Sequence, residues 1–206
     1  MARTVDIPGL KTRSISELES AGNRYSRAAA GSLDPALVRW VAKMTAVELH
    51  AVWERYVEGR LVAALNHNPS YFLADNTIKG VKRVSSGLAY YVIRGGGRYF
   101  DFRSMSDLLD KGNRWLGKEK NPFRQIAKGE RAYIDTLSAI RNCVVHRSEA
   151  SNITYKRSIK KVYGIVSAPE PDEFLNAKDP RDNSPAQKQS RLQGLVVILT
   201  KAIRET

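Results

Sequence analysis

Hydrophobic side chains recur at intervals of three and four residues along most of the chain, which is the spacing of helices with one buried face. The longest such pattern covers residues 35–66. It begins with Asp34 and Pro35, a typical N-cap and first turn, and it ends just ahead of Pro69. A helix of this length usually forms the spine of a helical bundle, and we predict that role for it here.

Shorter patterns predict the other helices. One covers residues 14–29 and is expected to begin at a capping box formed by Ser14 and Glu17. The rest follow the glycine-rich middle of the chain: 104–116, a helix that begins near 122 or 130 and extends past 146, then 152–163 and 189–204. The chain is therefore predicted to be all-α.

Two stretches depart from helical spacing. Residues 71–83 are compatible with a short helix, whereas 90–93 resemble a strand and are followed by three glycines. The region near 90–102 is therefore predicted to be either a small hairpin or a helix end with a loop insertion. Residues 168–184 are rich in Pro, Asp, Glu and Asn, and we predict a loop there. In domain terms we predict an N-terminal helical extension over 1–33 and a helical domain over 34–206.

Composition excludes several classes of protein. Among 206 residues, 42% are hydrophobic and 27% are charged, which is typical of globular domains. The longest aliphatic run, 195–199, is far too short to span a membrane. The single cysteine, Cys143, excludes an intramolecular disulfide and suits the reducing cytoplasm, where we expect the protein to reside. Three histidines without close partners also exclude an ordinary structural zinc site.

Positive charge is concentrated in the middle of the chain. Lys and Arg total 34 against 21 acidic residues, a net charge of +13. Residues 61–166 contain 19 basic and 8 acidic side chains, whereas the two ends are close to neutral. Such a distribution favours a surface that meets a polyanion, most simply a nucleic acid. The alternative is that the charge serves solubility alone.

The segment 140–148 combines residues that can act on a phosphate. In an ideal helix each residue advances the side-chain direction by about 100°. One side then carries Leu137, Ile140 and Val144, and the opposite side carries Asp135, Ser138, Asn142 and His146. We therefore expect Asn142 and His146 to point away from the core. Arg141 lies about 140° from His146, so one protomer is expected to bring this pair together only loosely.

These residues resemble the signature of a known family. Arg141-Asn142-x-x-x-His146 is similar to the Arg-x4–6-His motif of the HEPN superfamily, whose members are all-helical. Residues 47–56 resemble its long early helix with an inward acidic residue. Residues 99–108, 140–148 and 173–175 are similar to parts of its RiboL-PSP-HEPN branch, so the resemblance covers roughly residues 35–204.

The resemblance implies a metal-independent endoribonuclease without a cofactor, acting as a toxin or an antiviral effector. His146 would be the general acid or base, because a histidine changes protonation near neutral pH. Arg141 would stabilise the charge that develops on the phosphorus centre, and Asn142 would orient the phosphate or the histidine. Glu54 would be a partner of Arg141; equally, it could be one more solvated acid of the helix, pairing with Arg55 or with the neighbours of Glu58.

The resemblance also implies partners. HEPN proteins pair their motif helices about a two-fold axis, which predicts a homodimer, with an antitoxin or a defence-system component as a further partner. The cations expected to bind RNA beyond the cleaved phosphate are Arg147, Lys156, Arg157, Lys160 and Lys161. Alternatively, these five cations form a solvated helix face without an RNA-binding role. We expect Cys143, His50 and His67 to be packed or exposed without a chemical role.

Two other functions compete with the nuclease. The first is a non-catalytic HEPN module that binds RNA or a partner protein with the same face. The second is a basic helical DNA-binding protein, although the sequence contains no recognisable helix-turn-helix. The intact Arg141, Asn142 and His146 favour the nuclease.

Overall fold

The computed structural model describes residues 4–98, 100–182 and 189–206, and within them the fold is all-α, as predicted. The helices, in chain order, are α1 (Ile7–Ala30), α2 (Pro35–His67), α3 (Ser70–Asp75), α4 (Ser86–Arg94), α5 (Met105–Leu116), α6 (Lys128–His146), α7 (Glu149–Tyr163), α8 (Pro171–Asn176) and α9 (Arg191–Glu205). A 3-10 turn, Pro122–Gln125, precedes α6. No helix in the described part of the chain is both long and apolar enough to cross a membrane.

The long helix α2 is the centre of the bundle. Trp53 and Tyr56 are completely buried, and Trp53 packs edge-on against Phe123. Helices α1, α4, α6 and α8 lie against α2. The predicted spine is therefore confirmed, and the two helices most relevant below, α2 and α6, pack directly against each other.

Helix α1 begins seven residues earlier than predicted. Asp6 caps it by accepting a hydrogen bond from the amide of Gly9, and a proline follows in the first turn. Ser14 lies within this helix, so the predicted capping box with Glu17 is wrong, and Glu17 instead pairs with Arg55 at 2.6 Å. Helix α1 contributes Leu18, Ala21 and Tyr25 to the common core and lies against α2 and α9.

The predicted strand at 90–93 is wrong, because these residues belong to α4. Ser85 caps that helix, and Gly95, at φ 58°, ends it in the left-handed conformation that glycine adopts without strain. Ala89 and Ile93, four residues apart, are the buried positions, so the spacing is helical. The alternative of a helix end with a loop is correct for the described residues; Tyr99 lies outside them. The helix expected over 71–83 is shorter, since α3 covers only Ser70–Asp75.

The second half contains one helix that the sequence did not predict. Helix α8 lies inside the stretch predicted as a loop, and its Phe174 and Leu175 are completely buried. Residues 183 and 184 of that predicted loop lie outside the described residues. Helix α6 ends at His146 rather than beyond it, and α7 begins at Glu149, three residues before the predicted start.

Candidate functional site

The candidate site lies at the corner between α6 and α7. Helix α6 ends because Arg147 adopts a left-handed conformation, φ 50°, while its amide donates to the carbonyl of Cys143 at 3.2 Å. Ser148 then caps α7 through a capping box with Ser151. A turn of two residues thus joins the two helices and leaves His146 and Arg147 exposed at the corner. A bulky residue with positive φ is uncommon, and such strain concentrates at functional positions.

Arg141, Asn142 and His146 come together within one chain. The Nη1 atom of Arg141 donates to Asn142 Oδ1 at 2.9 Å and to His146 Nε2 at 3.2 Å. The prediction that one protomer brings this pair together only loosely is therefore wrong. The long arginine side chain extends along the last turn of α6 and spans the angular offset that backbone geometry imposes.

The contact with Arg141 assigns the role of one histidine nitrogen. A guanidinium can only donate, so in this contact Nε2 of His146 is the acceptor, at 3.2 Å. The cluster therefore presents a basic nitrogen and a fork of donors side by side at an exposed helix end.

Glu54 of α2 supplies negative charge beside this cluster. Partial burial raises the pKa of Glu54, but the neighbouring His50 and the charge of Arg141 lower it by more, so the pKa of this carboxyl is lowered overall. Glu54 is therefore ionised at neutral pH and acts on Arg141 through charge. The alternative pairing with Arg55 does not occur, since Arg55 contacts Glu17.

His50 joins Glu54 to α6, a connection that the sequence analysis missed. Its ring is 7% exposed, and Nε2 lies 3.0 Å from the hydroxyl of Ser138. Nδ1 lies 3.4 Å from Glu54 Oε2, which is an ion-pair distance without the geometry of a hydrogen bond. The spacing of four residues between His50 and Glu54 was the available signal. His67, by contrast, contacts the backbone carbonyl of Val5 at 2.8 Å, far along α2 from the cluster.

Only the end of the polar face of α6 reaches solvent. Asp135, which was expected to point outward, is half-buried and accepts a hydrogen bond from the amide of Met105 at 2.7 Å. Burial raises the pKa of Asp135, while the Met105 amide and the charge of Lys161 oppose that rise. Helices α2 and α5 therefore cover the first part of this face. Asn142 is half-buried like Asp135, and His146 is the exposed residue among the four.

Four exposed cations form what we call the α7 basic face: Lys156, Arg157, Lys160 and Lys161. They form two pairs spaced four residues apart, opposite the buried Tyr155 and Ile159. Like charges at this spacing repel one another. None of the four makes an ion pair with a residue that the structure describes. Together with Arg147 at the corner, they leave positive charge available to a polyanion.

Comparisons with family models, with curated proteins and with solved structures find no match for this chain. Across residues 4–98, 100–182 and 189–206, no three His, Cys, Asp or Glu side chains are grouped so as to hold a metal ion. The surroundings of Cys143 disfavour the thiolate form that a nucleophile needs. Burial raises the pKa of its thiol, the charge of Glu170 raises it further, and Lys156 opposes these effects only in part.

Proposed function

We propose that this protein is a metal-independent endoribonuclease of the HEPN type. The observation that carries the proposal is the cluster at the end of α6 in which Arg141 contacts both His146 and Asn142. An imidazole next to a guanidinium supplies a general base and a charge-stabilising group for cleavage by the RNA's own 2′-hydroxyl. The motif resemblance and the basic middle of the chain support the same function, with RNA as the substrate.

The proposed reaction begins when Nε2 of His146 takes the proton of the 2′-hydroxyl. The O2′ atom then bonds to the adjacent phosphorus, and the guanidinium of Arg141 stabilises the negative charge on the phosphorane oxygens. The bond from phosphorus to O5′ breaks, and an imidazolium donates its proton to that oxygen. The products are a 2′,3′-cyclic phosphate and a 5′-hydroxyl end.

A second copy of the chain would supply the acid in this scheme. One cluster contains a single histidine, which serves as the base, while the leaving oxygen needs a separate proton donor. Pairing of the α6 ends about a two-fold axis, as the family resemblance implies, would bring in a second His146. Light scattering is expected to give the mass of a dimer for the active protein, whereas a fully active monomer would contradict this arrangement.

The test is incubation of the protein with a short RNA in the presence of EDTA. We expect cleavage to survive chelation, because His146 and Arg141 supply the chemistry, and the ends to be cyclic phosphates. His146→Ala should abolish cleavage, while Arg114→Ala, which removes an exposed arginine of α5, is the matched control and should retain it.

Three results would count against the proposal. Products with 5′-phosphates, or activity that EDTA abolishes and magnesium restores, would contradict the mechanism. RNA binding without cleavage under any of these conditions would favour the alternative, a non-catalytic module that binds RNA through the same face.

A further inference from the structure

A cleft of about 680 Å³ opens at the α6–α7 corner. Its walls come from the first half of α2, the end of α6, the start of α7 and the start of α8. Arg147 lines the cleft and follows His146 directly in the chain. A ligand in this cleft could therefore contact the residue that follows His146.

An exposed indole forms one wall of the cleft. Trp40 is 55% exposed, whereas Trp53 is completely buried and Trp115 packs edge-on against Phe100. Beside Trp40 lie Met44 and Val144, which make this part of the cleft apolar. An accessible aromatic face beside a polar rim is the arrangement on which the unpaired bases of single-stranded nucleic acids stack.

The polar rim of the cleft determines which part of a nucleotide can enter. Asp172 already has cationic partners, Arg39 at 3.5 Å and Lys43 at 3.9 Å. Glu149 and Glu170 are exposed and have no ion-pair partner among the described residues. Two free carboxylates repel a phosphate but accept hydrogen bonds from the amino groups of a base.

We propose that this cleft, which we call the Trp40 cleft, binds a nucleobase of single-stranded RNA next to the cleaved phosphate. The base stacks on Trp40, and its amino group donates to Glu149 or Glu170. The attached phosphate remains outside, at Arg147. Guanine, adenine and cytosine carry such an amino group. Uracil presents carbonyl oxygens in its place, so the cleft disfavours uracil. The inference rests on the proposed function for its choice of RNA.

The test uses nucleoside 3′-monophosphates, which bind without being cleaved, and the intrinsic fluorescence of the wild-type protein. We expect saturable quenching by the guanosine, adenosine and cytidine monophosphates and the weakest binding for uridine. Trp40→Ala should weaken binding measured by calorimetry about 5- to 150-fold, the range for loss of one stacked base. Trp40→Phe should retain part of the affinity, because a phenyl ring still stacks.

Matched controls separate the cleft from general surface effects. Leu37→Ala removes an exposed apolar side chain one turn away on α2 and should leave binding unchanged. Glu149→Gln with Glu170→Gln should reduce the discrimination against uridine, since an amide can also donate to uracil oxygens. Glu119→Gln, in an exposed loop, should not alter it.

The possible failures are distinct. Equal binding to wild type and Trp40→Ala, no saturable binding of any nucleotide, or equal affinity for all four bases would overturn the inference. So would burial of Trp40 as the protein concentration rises, since a second copy would then be the occupant. Nucleotide binding at Trp40 without cleavage of RNA would support the binding cleft and refute the proposed nuclease activity. Cleavage of RNA without nucleotide binding at Trp40 would support the nuclease activity and refute the binding cleft.

Discussion

Replacement of Arg147 by glycine should stabilise the protein while weakening its interaction with RNA. Arg147 and Thr77 are the non-glycine residues with positive φ among those described, at 50° and 57°. Arg147 is exposed, so its side chain contributes little packing that the replacement would lose. The replacement therefore has two effects: it relieves the backbone strain at position 147, and it removes the cation beside His146.

The expected gain follows from two opposing terms. A residue with a Cβ atom in the left-handed region costs roughly 1–2 kcal/mol. Glycine removes that cost, but the greater freedom of glycine in the unfolded chain offsets roughly 0.5–1 kcal/mol of the gain. The net increase in the free energy of unfolding is therefore about 0.5–1 kcal/mol, which corresponds to a rise in Tm of roughly 1–4 °C for a chain of this size.

Urea and thermal unfolding measure the first effect, and RNA affinity at several salt concentrations measures the second. Thr77→Gly is the matched control: it should stabilise the protein similarly without changing RNA affinity. Arg147→Ala should weaken RNA binding without the gain in stability. The slope of log affinity against log salt should fall by about 0.7, the value for one phosphate contact with a single strand. A lower Tm for Arg147→Gly would refute the strain argument, and unchanged RNA affinity would remove Arg147 from the binding surface.

Further expectations concern the cluster, the α7 basic face and the packing between α5 and α6. Arg141→Ala should lower turnover about 10²–10³-fold with little loss of RNA affinity. Arg141→Lys should not restore turnover, because an ammonium cannot replace the paired donors of a guanidinium. Loss of affinity with unchanged turnover at saturation would instead show that Arg141 only binds the RNA. Replacing all four cations of the α7 basic face with glutamine should weaken binding and flatten its salt dependence while saturated turnover stays nearly intact. The control removes the same charge from four other exposed cations, Lys118, Lys120, Arg124 and Lys128. Asp135→Ala should destabilise the protein by about 1 kcal/mol in urea unfolding, because the Met105 amide loses its acceptor. Asp135→Asn keeps an acceptor. Since the folded-state pKa of Asp135 is raised, ionisation costs stability once the pH exceeds the unfolded-state pKa. Asp135→Asn should therefore be at least as stable as wild type at pH 7 and lose that advantage in acid; a large loss of stability at pH 7 would contradict this.

The helices could be predicted where one face is apolar and the ends carry strong signals. Residues 35–66 have Asp34 and Pro35 at one end and Pro69 beyond the other, and α2 follows those limits closely. The predicted start of a helix was wrong where two candidate N-cap residues lie close together in the sequence. Ser14 has the spacing of a cap, yet Asp6 with a proline behind it starts α1 earlier. Helix α8 was missed because polar residues surround Phe174 and Leu175, and only tertiary burial stabilises so short a helix.

For the candidate site, the exposure of His146 and its alignment with Asn142 could be predicted from the helical period. The contact between Arg141 and His146 could not, because it depends on the path of a long side chain rather than on backbone angle. The position of His50 against Ser138 depends on how α2 packs on α6, which no local pattern specifies. The resemblance to HEPN proteins and the nuclease activity stay predictions that the experiments above can decide.

The two hydrogen bonds of Arg141 also have an entropic consequence. A free arginine side chain has about 2 kcal/mol of rotamer entropy, much of which is normally lost when it grips a ligand. Arg141 is already held by Asn142 and His146 before any ligand arrives. An incoming phosphate therefore exchanges hydrogen-bond partners with an ordered guanidinium instead of ordering a mobile one. In addition, the same exchange frees Nε2 of His146, so binding of the phosphate would itself make this nitrogen available as the general base.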